Sequence, residues 1–238
     1  MALVLAFATS MELRAALPDI PAAGGGGFHD PFPGEPFPVR GRPARALVTG
    51  IGPVACAAAL GRALGARPHA AGVIQIGVAG SFDLARAPMG SAWVVTREVW
   101  PEYGLRGEDG VDPRGIRLPM AETGDGPVRE SLDLDPENAA RAMGLHLPAA
   151  LGRAASLTVA GVTGTLGGAD DLFHRHGALL ENMEGFAAAF ACRLAGVPFL
   201  EVRVVSNLAG GREAAHWDLR GGLAGLGPTL DALLEKPS

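Results

Sequence analysis

Gly72-Val-Ile-Gln-Ile-Gly-Val-Ala-Gly80 is the stretch on which the fold turns. From Gly72 to Val78 it is an apolar run without the alternation of a half-exposed strand, the mark of a strand covered on both faces. It then closes in small residues, Ile76-Gly77-Val78-Ala79-Gly80. These predict a turn in which backbone amides approach a ligand closely, at the carboxyl edge of a sheet. Strands of this kind belong to sheets flanked by helices, so strand and helix should alternate on either side.

They do. Upstream, 2–8 (ALVLAFA) reads as a buried strand followed at once by helical Met11 to Leu17. Ala44 to Thr49 is another strand, leading through the tight turn Gly50-Ile51-Gly52 into a helix that starts at Pro53 and runs to about Gly65. Between them, Pro18 to Pro43, with Gly24 to Gly27 and repeated Pro, is too rich in breakers for regular structure. Downstream, Ser91 to Arg97 is a strand, and Tyr103 to about Pro136 is a polar surface excursion of the kind that often forms a lid, with helix resuming at Glu137 to Met143. Further strands are predicted over Leu157 to Val162, Ala178 to Leu180 and Phe199 to Val205. Helices are predicted over Gly185 to Leu194, closed by Gly196 and Pro198, and over Leu223 to Leu234. With no internal repeat and no linker, residues 1–238 are expected to form one α/β domain.

Composition narrows the function. The chain has 238 residues, 48% hydrophobic and 19% charged, with net charge -5 and no basic block. Nucleic acid and anionic membranes therefore have no electrostatic footing. Two cysteines, Cys56 and Cys192, cannot form a disulfide framework or a Cys-rich metal site, and each lies among alanines like a small core residue. The apolar run Ala2 to Ala8 is too short to span a bilayer, and the cytoplasm is the expected compartment. The 35 Gly and 19 Pro, with Lys236 as the only lysine, point to nucleotide bias, so glycine pairs carry little weight by themselves.

Several motifs remain to be weighed. Gly50-Ile51-Gly52-Pro53-Val54-Ala55 fits a dinucleotide fingerprint, but no acid lies between Gly65 and Gly80 to hold a ribose. Glu12 follows Thr9 by three positions, the spacing of a capping box. Glu181-Asn182-Met183-Glu184-Gly185-Phe186 puts two acids and an amide where a strand gives way to a helix; the plain reading is first-turn acids facing the helix dipole. Val202-Arg203-Val204-Val205-Ser206-Asn207 ends a strand in a hydroxyl and an amide, where open α/β sheets bind ligands. His174 and His176 have no third partner at metal-ligand spacing and read as a solvated helix end.

Taken in order, Glu12, GIGPVACAAAL (50–60), IQIGVAG (74–80), NMEGFAAA (182–189) and VRVVSN (202–207) resemble the nucleoside phosphorylase/nucleosidase superfamily. The Met-Glu-Gly-x-Ala motif at Met183 to Ala187, with a strand ending in Ser-Asn about twenty residues later, is its specific part. Within the superfamily the likeness is strongest to nucleosidases acting on methylthioadenosine and S-adenosylhomocysteine, and among these to futalosine hydrolases. The resemblance implies a three-layer α/β/α sandwich around a twisted mixed sheet, assembled as a homodimer or larger oligomer. It also implies a small-molecule nucleoside substrate and no metal or organic cofactor.

The resemblance further implies roles. Glu12 would position and deprotonate the attacking water. Glu184 would accept from the ribose hydroxyls, its charge opposing the cation that forms as the glycosidic bond breaks. Met183 and Asn182 would lie by the sugar, and the edge Val78, Ala79, Gly80 would frame the anomeric carbon. Ser206 and Asn207 would meet the base. Where adenine-releasing relatives usually carry Asp, Asn207 offers a donor and an acceptor, a match for the 6-oxo group and N7 of hypoxanthine. Phosphorylases carry Arg and Ser where Gln75 and Val78 stand here, so with the cation missing water is the expected nucleophile and futalosine the expected substrate. An adenine-releasing nucleosidase, a phosphorylase and a noncatalytic nucleoside binder are the rivals. Phe28, Trp100, Phe186 and Trp217 are candidate walls for the substituent beyond the 5′ carbon, with Arg212 a partner for its carboxylate; core packing is the competing reading for each.

Overall fold

The computed structural model describes residues 1–20, 35–66, 69–108 and 110–235. Its elements run β1 Leu3–Phe7, α1 Ser10–Ala16, β2 Phe37–Val39, β3 Arg42–Val48, α2 Pro53–Ala66, β4 Gly72–Ser81 and β5 Ala92–Val99. The polar excursion carries β6 Leu105–Gly107, β7 Gly110–Asp112, β8 Ala121–Thr123, β9 Gly126–Val128 and β10 Ser131–Asp133. Then follow α3 Pro136–Ala142, β11 Gly152–Thr158, α4 Leu166–His176, β12 Leu180–Asn182, α5 Gly185–Ala195, β13 Phe199–Leu208 and α6 Leu219–Leu234.

One mixed sheet organises the molecule, in the order β10-β5-β11-β12-β4-β1-β3-β2, with β13 pairing both β4 and β5. β4 runs parallel to β1 and β13 and antiparallel to β12. Along β1, Leu3, Leu5 and Phe7 pack with α1 and α6 on one face, while Val4 and Ala6 pack with α2 and α5 on the other. Both faces are therefore apolar, as the unbroken hydrophobic runs require, and the architecture is the α/β/α sandwich.

Local signals set the helix ends. Thr9 at the N-cap of α1 accepts from the Glu12 amide at 3.1 Å while Glu12 Oε2 accepts from the Thr9 amide at 2.9 Å, a complete capping box. Gly196, with φ of 64°, closes α5 in the left-handed conformation that glycine adopts without strain.

Five expectations need correcting. β4 does not turn at Gly77–Gly80 but stays extended to Ser81, still paired with β13. β11 ends at Thr158, short of Val162, because its partner β12 ends there, Thr158 facing Asn182; β12 itself is displaced two residues from the expected 178–180. The breaker-rich Pro18–Pro43 stretch contains β2, folded against β3 as an edge hairpin, while Gly24 to Gly27 lie outside the described residues. The 103–136 excursion forms two small hairpins and the edge strand β10, and among the described residues it supplies no wall of the main cleft.

Candidate active site

The main cleft opens at the carboxyl ends of β1, β4 and β13. It gathers Glu12, Val78, Ala79, Gly80, Asn182, Met183, Glu184, Ser206 and Asn207, the residues expected to carry catalysis and hold the nucleoside. Three strand ends and two helix N-termini converge here because parallel and crossover connections bring distant segments to one sheet edge.

Glu12 is 5% exposed. Its Oε2 takes the Thr9 amide and hydroxyl, each at 2.9 Å, and its Oε1 takes the Val78 amide at 3.1 Å. Capping and cleft-facing roles are therefore compatible: the box that starts α1 also fixes the carboxylate against β4. A Cβ on Gly77 would stand 2.7 Å from Glu12 Oε1 and 2.9 Å from Arg203 Nη1. Glycine at 77 is thus required for room rather than for a turn, because a carboxylate and a guanidinium both pack against it.

Glu184 lies on the opposite wall. Its Oε1 accepts the Gly52 amide at 2.9 Å, an amide aimed inward by the positive φ of 92° at that glycine. The fingerprint-like Gly50–Gly52 turn thus serves a carboxylate of the protein itself. Glu184 Oε2 is 3.7 Å from Arg203 Nη1. Burial raises the Glu184 pKa above the ordinary carboxylate value, while Arg203 and the Gly52 amide oppose the shift.

Behind this wall is a buried polar network that sequence reasoning missed. Arg203, 1% exposed, donates through Nε to Glu201 at 2.8 Å and through Nη2 to Asn182 Oδ1 at 3.2 Å. Burial by itself disfavours its charge, but Glu201 and Glu184 more than restore it and raise the pKa. Burial, reinforced by neighbouring Glu201, holds Glu98 well above the usual carboxylate range. Burial raises the Glu201 pKa as well, opposed by Arg203, and Glu201 Oε2 has no hydrogen-bond partner of its own among the described residues. Glu98 and Glu201 both crowd Gly185, where a Cβ would come within 2.4 Å of Glu98 Oε1 and 2.3 Å of Glu201 Oε1.

Asn182 belongs to this network. Its Nδ2 donates to Glu98 and Ser156, both at 2.7 Å, and its Oδ1 accepts the Glu184 and Gly185 amides at 2.8 and 2.6 Å. The amide is fully committed, so Asn182 borders the cleft while its side chain sets the start of α5. The cation thought absent from the position of Gln75 is supplied instead by Arg203, from β13, and Gln75 is buried away from the cleft lining. Three glutamates face Arg203, which leaves little field for an anionic nucleophile.

At the other end of the cleft, Asn207 Oδ1 accepts from Ser206 Oγ at 2.9 Å and Nδ2 donates to the Leu208 carbonyl at 3.2 Å. The opposite amide orientation would set two carbonyl oxygens face to face, so Leu208 fixes it. One N–H and one lone pair remain for a ligand. Glu181 also lines this end, its carboxylate held by the Thr163 amide and hydroxyl, contacts the sequence did not disclose.

Of the candidate walls, Trp217 and Arg212 line the cleft, the guanidinium 5.7 Å from the indole ring centre. Phe186 is core, stacked on Phe190 and tilted against Trp100, and neither it nor Trp100 reaches the cleft. Phe28 lies outside the described residues. Cys56, pushed up to about 12 by burial, and buried Cys192 are poor nucleophiles. Among the described residues, no group of three His, Cys, Asp or Glu side chains is placed to hold a metal ion.

The Phosphorylase superfamily model matches residues 28–229. A futalosine hydrolase of Thermus thermophilus is 36% identical over 208 residues, covering 84% of this chain and 88% of that one. The chain belongs to the phosphorylase superfamily, in the family of these futalosine hydrolases. A second member of the family, from Streptomyces coelicolor, is 37% identical over 76% of this chain and 74% of its own. Solved structures agree on the fold. Futalosine hydrolase of Helicobacter pylori superposes with a TM-score of 0.69 at 16% identity, covering 98% and 96% of the two chains. The methylthioadenosine/S-adenosylhomocysteine nucleosidase of Colwellia psychrerythraea, in complex with adenine, gives 0.72 at 20% identity, covering 98% and 94%.

Proposed function

We propose that this chain hydrolyses the N-glycosidic bond of futalosine, releasing hypoxanthine and dehypoxanthine futalosine, a step of menaquinone biosynthesis. The observation that carries the reading is Asn207. At the strand end where adenine-releasing relatives place an acid, an oriented amide keeps one donor and one acceptor free. Hypoxanthine presents O6 to that donor and, as it leaves, an N7 proton to that acceptor. Relatives named as futalosine hydrolases at 36–40% identity support the same substrate.

Glu12, which lines the cleft, holds the attacking water. As the C–N bond lengthens, its electron pair moves into the purine and the ribose gains cationic character. Glu184 opposes that charge and accepts from the ribose hydroxyls. Water adds to the anomeric carbon and gives its proton to Glu12. Because an amide is no acid, the proton on the departing base comes from solvent. Met183 packs against the sugar, and Arg212, stacked on Trp217, meets the carboxylate of the 5′ substituent.

Residues 1–238 act as a single domain in the cytoplasm. Among the described residues no helix is long and apolar enough to cross a membrane. Assembly as a homodimer or larger oligomer belongs to the same reading, with Ile51 of the cleft lining and Val54, 62% and 83% exposed, as candidate contacts. The testing experiment supplies futalosine, aminodeoxyfutalosine and methylthioadenosine separately, with and without phosphate, and separates the released bases by chromatography. Hypoxanthine from futalosine, indifferent to phosphate, is the expected result; adenine release or a phosphate requirement overturns it.

A further inference from the structure

Gly80 has Glu181 of β12 as its register partner on one side and Asn207 of β13 on the other. With neighbouring strands about 4.8 Å apart, the two flanking Cα atoms stand roughly 10 Å apart. Both side chains line the cleft, and the residue between them has none. A Cβ at Gly80 would come within 3.0 Å of Asn207 Nδ2, so the glycine keeps open a slot with an amide on one wall and a carboxylate on the other.

A purine presents three groups in succession along its six-position side: N7, the exocyclic group and N1. In hypoxanthine they are acceptor, acceptor and donor; in adenine they are acceptor, donor and acceptor. Asn207 meets the first two. The third has opposite polarity in the two bases and falls to the far wall of the slot.

We propose that Glu181 reads this third group, its carboxylate accepting the N1–H that a 6-oxopurine offers and a 6-aminopurine lacks. This rests on the base-recognition reading given above and extends it to a second residue. The Thr163 amide and hydroxyl both donate to Glu181. What the carboxylate turns to the cleft is therefore acceptor capacity, and the Thr163 amide is no longer free to donate to an adenine N1. Glu181 is only 5% exposed, so an adenine lone pair set against it could not be relieved by water, whereas N1–H makes a charge-assisted bond. Burial raises the Glu181 pKa above the ordinary carboxylate value, opposed by the Thr163 hydroxyl and amide and by Arg212.

Glu181→Gln keeps size and shape but brings an N–H to the slot. The ratio of kcat/KM for futalosine to that for aminodeoxyfutalosine is expected to fall about tenfold or more. A residue serving only to tether Thr163 would lower both values together and leave the ratio unmoved. Inhibition of the wild-type enzyme by free bases supplies a test that needs no variant: hypoxanthine should bind about tenfold tighter than 1-deazahypoxanthine, which has the same shape and a carbon in place of N1. Equal inhibition by the two bases, or an unchanged ratio in a folded variant, overturns the proposal. Should wild-type enzyme release no hypoxanthine from futalosine, the functional reading itself fails; release with unmoved ratio and equal inhibition sinks only the role of Glu181.

Discussion

The carboxylate end of the cleft and its base end are held on different scales. Glu184 is fixed by Gly52, 132 residues away in sequence, and faces Arg203, which is itself anchored to Glu201 and to Asn182. Asn207, in contrast, is oriented by its immediate neighbours Ser206 and Leu208, and Glu181 by a single residue, Thr163. A change at the first end propagates through four strands. A change at the second stays local, so the chemistry is rigid where the choice of base is exchangeable.

The largest effect should come from breaking the first end. Glu184→Ala is expected to lower kcat by about 10³-fold, since it removes the charge opposing the ribosyl cation; circular dichroism must show the fold intact. Glu12→Gln should cost about 10²-fold or more in kcat with KM little changed, and near-wild-type turnover would reduce Glu12 to a helix cap. At the second end, Asn207→Asp should leave the fold untouched and move preference toward 6-aminopurine substrates by about tenfold, read as the ratio of kcat/KM values. An unmoved ratio would mean that Asn207 does not choose the base.

Acid should act on the first end through Glu184. Glu184 must be ionised to work, and burial raises its pKa, so the acid limb of kcat should lie above the ordinary glutamate value of about 4.3. A limb at or below that value would refute the assigned role. The smallest effect concerns Glu98. Its folded pKa is raised, so the stability it contributes is complete below about pH 4.3 and is lost as pH rises through the folded value. Glu98→Gln removes that titration. Its stability at neutral pH should equal or exceed wild type by about 1 kcal/mol, with a flatter pH dependence in denaturant melts.

The same contrast of scale governs what the sequence disclosed. Glu12, Glu184 and Asn207 were legible because each sits in a short motif at a strand or helix end. The buried network around Arg203 was not: Glu98, Thr158, Asn182 and Glu201 lie on four strands, and only the pairing of β5, β11, β12 and β13 brings them together. Strand ends were misplaced for a related reason. Leu157 to Val162 is apolar throughout, but a ladder stops where its partner stops, at Asn182. Gly77 and Gly80 looked like a turn because glycine permits one; here they are extended and their missing side chains make room for Glu12, Arg203 and Asn207.

The capping box of α1 has a thermal consequence. Because the bonds that start this short helix are also the bonds that aim Glu12 into the cleft, fraying of its first turn would disarm the enzyme while the sheet stayed intact. Loss of turnover on warming should then precede the cooperative melt, and amide exchange at Glu12 should quicken over the same interval of temperature. Catalytic half-life is in this sense a property of seven residues, Ser10–Ala16, more than of the core they rest on.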